Sequence, residues 1–294
     1  MVDEAAHKAP TDRAAKALKP KHVRRGPLFW MVRIGYAARG ILFLIVGSFA
    51  LLAAGGLGTH PQGARDILEI AFQQPFGRYF LYAMAAGLVC FAGWRFLQSI
   101  FDADRFGSDL HGLMRRTVLG CSGLFYLALA SATMRVTIEQ RRVSEDQSAY
   151  EWTRWVMAQP FGRHVLGAIA IGFIAVSFGL GIKAFRAPYR DKLDATEEQR
   201  RLAVMLGSFG ILTRAVVFFL FGIFLGNAAF DANSREAVGL AGVLRAMQDQ
   251  SHGGGILLGI AALGLLAFGL FEIIAAAVRR PAIVKPARPK PSQI

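Results

Sequence analysis

The chain is poor in the residues that carry out chemistry. It has two cysteines and six histidines among 294 residues. Cys90 and Cys121 both fall within apolar stretches and form no Cys-x-x-Cys or Cys/His spacing. That excludes a secreted disulfide framework and a zinc site, and leaves both as small packing residues. His60, His111, His164 and His252 lie at the ends of apolar stretches or between them, so no haem can be held between span histidines. No alternating strand pattern is present, and hence no glycine-rich phosphate loop following a strand. No nucleophile stands at useful spacing from a base. The sequence therefore points to no enzyme, no cofactor and no metal.

Charge is scarce too, at 18% of residues against 54% hydrophobic, where a soluble domain holds about 25% and 45–50%. The apolar residues are clustered. Six stretches, 34–54, 79–101, 117–134, 164–185, 209–230 and 254–278, are long enough to cross a ~30 Å hydrocarbon layer as helices. The third is the shortest. Backbone polar groups find no water in lipid, so spans must be helices or barrel strands. Ile41–Phe49 and Val216–Leu225 are continuous apolar runs rather than alternating ones, which excludes a barrel. About 33 mostly polar residues precede the first run, and that run is too long for a signal peptide, so it reads as a retained anchor.

The formal charge of +14 is unevenly placed. Segments 1–33, 102–116, 186–201 and 279–294 lie on one side of a six-span chain and hold 21 Lys and Arg, against nine on the other side. The positive-inside rule then puts both termini in the cytoplasm. Residues 1–33 and 279–294 read as basic cytoplasmic tails, the first disordered, that lie against anionic lipid. The tail has alanine and proline among its charges and no folded basic module, so nucleic acid is not expected as a partner.

A pentapeptide occurs twice, Gln74-Pro75-Phe76-Gly77-Arg78 and Gln159-Pro160-Phe161-Gly162-Arg163, each between two spans. A degraded third copy, Gln250-Ser251-His252-Gly253-Gly254, precedes the last span. The chain is thus one two-span unit written three times, over 34–101, 117–185 and 209–278. Arg39 and Arg214 are equivalent, with Ser122 between them, and Gly40–Leu44 matches Gly123–Leu127. Units of two spans enter the membrane in one orientation, so a six-helix ring with pseudo-threefold symmetry is expected. The outer loops 64–74, 149–159 and 236–248 carry apolar residues at helical spacing and predict short interfacial helices. Ser148 and Glu151 fit a capping box at the second. Pro75 and Pro160 end the first two. Trp152 and Trp155 suit the headgroup level. The repeated turn then redirects the chain into the next span, with Arg78 and Arg163 within reach of headgroups.

The pentapeptide, together with Arg33–Gly40 opening the first span and Gly269-Leu270-Phe271-Glu272-Ile273 in the sixth, resembles the bacterial family named domain of unknown function 1206. The resemblance covers residues 30–280 and implies three two-span repeats in the plasma membrane. It implies no activity.

Polar residues inside spans are costly, and each needs an account. Arg39, Arg95, Lys183 and Arg214 are the basic ones, and Glu272 is the one acid. Arg95 and Lys183 read as snorkelling side chains. Arg39, Arg214 and Glu272 form a candidate buried cluster, with Glu272 expected to pair with Arg39 or Arg214 and to staple unit three to unit one. Gly222, Gly226, Gly259, Gly264 and Gly269 predict close helix packing. Two functions fit. One is a structural or interaction protein with a membrane-protein partner. The other is a small channel or carrier for an anion or protons built on the Arg/Glu cluster. A dry seam around Glu272 favours the first, a solvated cavity the second.

Overall fold

The computed structural model describes residues 26–57, 61, 70–104, 106–139, 145–186, 197–250 and 253–278. Residues 1–25 and 279–294, which hold most of the basic tails, and residues 62–69, which hold most of the helix expected in the first outer loop, lie outside the described residues. Six helices are long and apolar enough to cross a membrane. They are α1 (Pro27–Ala54), α2 (Gly77–Ile100), α3 (Leu110–Glu139), α5 (Gly162–Arg186), α6 (Glu197–Phe230) and α8 (Gly254–Val278). Two short helices, α4 (Glu145–Met157) and α7 (Leu240–Gln248), lie between spans of units two and three. The fold is all-α, with unit one formed by α1 and α2, unit two by α3 and α5, and unit three by α6 and α8.

Three spans run beyond expectation for one reason. The first begins at Pro27 rather than 34, so the end of the segment expected as a disordered tail is helical. The third span is 30 residues long rather than the shortest, and α6 begins at Glu197 rather than 209. Hydropathy marks where a helix is apolar, whereas these helices run on through polar turns beyond the hydrocarbon. In α4 the helix starts at Glu145, so Ser148 lies inside it and cannot be the cap of a Ser-x-x-Glu box. The third outer segment is a 3-10 turn, Ser234–Glu236, followed by α7 rather than one helix. Trp152 and Trp155 are exposed, as an interfacial helix requires.

The repeated turn is geometric. Phe76 and Phe161 both adopt φ of 63°, and Gly253 at the third turn has φ of 86°. That left-handed residue reverses the chain into α2, α5 and α8. The next residue must be glycine. A Cβ at Gly77, Gly162 or Gly254 would lie inside the contact shell of the carbonyl oxygen of Ala71, Val156 or Gln248 respectively. The three turns therefore superpose residue for residue, even though the third lacks Pro-Phe and Arg. Arg163 is exposed and holds the end of the preceding span. Its guanidinium donates to the carbonyls of Ala229 and Phe230, the last of α6, where cations favour a helix terminus.

Tight seams join each unit to the next: α2 with α3, α5 with α6, and α8 back to α1. Glycine allows the approach. A Cβ at Gly40 would stand 2.9 Å from the Gly269 carbonyl, and one at Gly222 2.6 Å from Ile174. Arg33 donates to the Ala276 and Ala277 carbonyls ending α8. Its unit-two equivalent, Arg116, donates to Ser99 and Ile100 ending α2. Packing within units is looser, and it is unequal. In unit one, Gly35 lies against the Phe91 backbone at 2.7 Å from a built Cβ, and in unit three Gly210 lies against Phe268 at 2.6 Å. Unit two has Val118 at that place, and among the described residues α3 and α5 make no extended contact. The expected ring is therefore an arc in the order α3, α2, α1, α8, α6, α5, open on the side of unit two.

Gly162→Ala should destabilise the protein by about 1–3 kcal/mol, the usual cost of overpacking. Gly167→Ala, where a Cβ meets nothing within 4 Å, should leave thermal unfolding unchanged or slightly raised. Equal midpoints for the two variants would contradict the turn geometry.

Candidate functional site: a buried arginine cluster

Three sets of equivalent residues meet where the spans converge. The first set is Arg39, Ser122 and Arg214 on α1, α3 and α6. One turn further along the same helices stand Phe43, Tyr126 and Phe218. The third set, read from the superposed turns, is Arg95, Leu180 and Glu272 on α2, α5 and α8. Counting back from the far helix ends at 1.5 Å per residue, Arg39, Arg214 and Glu272 lie about 22–27 Å in, at one level. That depth is inside a ~30 Å hydrocarbon layer.

The seam between α8 and α1 places Arg39 against Glu272. Arg39 Nη1 lies 3.1 Å from Glu272 Oε1, and the two side chains are 3% and 4% exposed. Arg39 Nε donates to the Tyr126 hydroxyl at 2.7 Å, so one guanidinium ties units one, two and three together. Aromatic faces enclose it: the centroids of Phe91, Phe268 and Tyr126 lie 4.8, 4.9 and 5.3 Å from its Cζ. Cation–π attraction is strongest where water is excluded. Of the two expected pairings, the geometry makes Arg39–Glu272.

Arg214 belongs to the same cluster but is not paired. Its Cζ lies 4.7 Å from the Phe268 ring, 5.2 Å from Phe218 and 5.6 Å from Phe43. Its Nε is buried with no hydrogen-bond partner, as is Glu272 Oε2. The equivalence explains the difference. Tyr126 gives Arg39 an oxygen, but Phe43, standing in that relation to Arg214, has only a ring face. Glu272 gives Arg39 a carboxylate, but the equivalent residue on α5 is Leu180.

Arg95 is not a simple snorkel. It donates to Gln98 Oε1 at 3.2 Å, and Gln98, 1% exposed, donates to Asp104 at 2.5 Å. The loop acid Asp104 is thereby linked to the cluster's edge. Its neighbour Asp102 accepts from the backbone N–H groups of Gly107 and Phe106. The first of these bonds leads in holding its carboxyl below the usual range. Lys183 is exposed on α5, in keeping with a snorkelling residue.

The turn residues Gln74–Arg78 and Gln159–Arg163 lie at the opposite ends of the spans and take no part in the cluster. Sequence reasoning missed Tyr126, Gln98, and the pair Arg33 and Arg116. Tyr126 and Arg116 were within reach, because the unit alignment sets them against Phe43 and Arg33. Among the described residues no group of His, Cys, Asp and Glu could hold a metal.

Three segments, 34–102, 118–187 and 209–279, match the Domain of Unknown Function (DUF1206), one for each unit. This chain belongs to that family. A relative from Bacillus subtilis (strain 168), described as "Uncharacterized protein YxxB", is 29% identical over 235 residues, covering 79% of this chain and 84% of that protein. No solved structure matches the chain. The DUF1206 units correspond to the three helix pairs, and the chain is a multi-pass membrane protein.

Glu272→Gln should cost about 3–5 kcal/mol, the usual loss when one partner of a buried ion pair is removed. Tyr126→Phe should cost about 1–3 kcal/mol, through the unsatisfied Arg39 donor. Chemical unfolding in mixed micelles measures both, and a Glu272→Gln protein as stable as the parent would contradict the staple.

Proposed function

We propose that this DUF1206 protein is a structural and interaction protein of the bacterial plasma membrane. In this reading both termini are cytoplasmic and the basic segments lie against anionic lipid. The observation that carries it is the open side of unit two. In unit one, Gly87 lies against Ala38, and in unit three Gly264 lies against Thr213. The unit-two counterparts are Gly172 and Cys121. A Cβ at Gly172 meets nothing within 4 Å, and Cys121 is exposed. Ala168, Ala175 and Gly179 flank Gly172 on the same exposed face of α5. Small residues at this spacing let spanning helices approach closely.

The occupant proposed for this face is α3 of a second copy. The chain carries both halves of a seam that its other two units close, and a twofold axis along the membrane normal would close it twice between copies, α5 on the partner's α3 and the reverse. A channel or carrier built on Arg39 and Glu272 would need that pair in a wet vestibule. Its enclosure by aromatic rings supports a static role instead.

Oxidation of a Cys90→Ala, Gly172→Cys protein in native membranes tests the arrangement. The expected product is a disulfide-linked dimer that disappears when Cys121→Ser is added. A disulfide closed within one chain, a dimer that survives Cys121→Ser, or no disulfide would each overturn the second copy as occupant. A defined partner retained at fixed stoichiometry would then keep the interaction reading with a different helix.

A further inference from the structure

The three arginines of the cluster are not equally compensated. Arg39 has Glu272, and Arg95 reaches Asp104 through Gln98. Arg214 has no hydrogen bond or ion pair among the described residues, and its buried Nε faces no acceptor. The side chain is half-buried, and three aromatic rings stand within 6 Å of its Cζ, so water screens it only in part. A guanidinium held at span depth without an anion is costly enough that such residues are nearly always paired or functional. The neighbouring charge adds to the imbalance, since the one carboxylate nearby, Glu272, is already paired with Arg39.

We propose that Arg214 binds an oxyanion, a phosphate or carboxylate group, which completes the place that Glu272 fills beside Arg39. The guanidinium fork matches either group by paired N–H donors. Leu180, the α5 equivalent of Glu272, packs in one cluster with Ile211, a turn from Arg214, and with Phe268, which Arg214 stacks on. The vacant acceptor position is therefore beside Leu180, at the seam of α5 and α6. The oxyanion comes either from the phosphate of an acidic lipid or from free anion. The site is distinct from the open face of unit two, and a failed dimer crosslink leaves it untouched.

The test uses the full chain in detergent, with thermal unfolding followed on adding phosphatidylglycerol, phosphatidylcholine or inorganic phosphate. Phosphatidylglycerol is expected to raise Tm by several degrees and phosphatidylcholine to leave it unchanged. A matching rise with inorganic phosphate identifies free anion as a source, and its absence identifies lipid. Leu180→Glu supplies the missing carboxylate. It should raise Tm without additive and remove the phosphatidylglycerol response. Arg214→Leu should also remove the response, and if that variant does not fold, Leu180→Glu still decides. A response that persists in Leu180→Glu belongs to the basic tails and overturns the site. So does an equal response to phosphatidylcholine, or no response to either anion.

Discussion

A guanidinium in hydrocarbon must find an anion, and the fold depends on how this chain meets that demand at Arg39. The side chain takes a carboxylate from α8, a hydroxyl from α3 and ring faces from α2 and α8. It therefore fixes the last unit to the first and the second to both. The hydrophobic effect gives little drive to helix association inside a bilayer. Close glycine seams and a few buried polar contacts must supply the specificity. Gly40 against Gly269 brings α1 and α8 near enough for Arg39 and Glu272 to meet in a dry place.

Three copies of one unit would build a symmetric ring if they were equal. They are equal where the backbone requires it. Gly77, Gly162 and Gly254 hold the same turn against the same carbonyl, and this survives the loss of Pro-Phe in the third copy. They differ where side chains decide. Val118 replaces the glycine of Gly35 and Gly210, and unit two opens. Leu180 replaces Glu272, and Arg214 is left without a carboxylate. Single substitutions in a repeated frame have turned one symmetric seam into a staple, one into an exposed face and one into an unfilled charge.

The fold was legible in the sequence because its signals are long or repeated. Six apolar runs and a duplicated pentapeptide suffice for the helices and the three units. Arg39, Arg214 and Glu272 stood out as charges in apolar runs, and their common level follows from counting residues. Other features were less accessible. Helix ends at Leu110 and Glu197 run through polar turns that hydropathy does not mark. Ser148 fits a capping pattern, yet the helix begins three residues earlier. Whether Glu272 meets Arg39 or Arg214 depends on which helices form the tighter seam, and that is a matter of glycine contacts between units rather than of local pattern. The opening of unit two was within reach through Val118, but only by comparing the units position by position.

The central claim is that Arg39 and Glu272 act as one coupled element joining unit three to unit one. A double-mutant cycle on the two residues, using Arg39→Leu, Glu272→Leu and the double variant, measures this most directly through unfolding free energies in one lipid composition. The account requires that either single change be more damaging than the double change, because each alone strands a buried charge or a buried polar group. Additive single effects, with no coupling between the two positions, would contradict it.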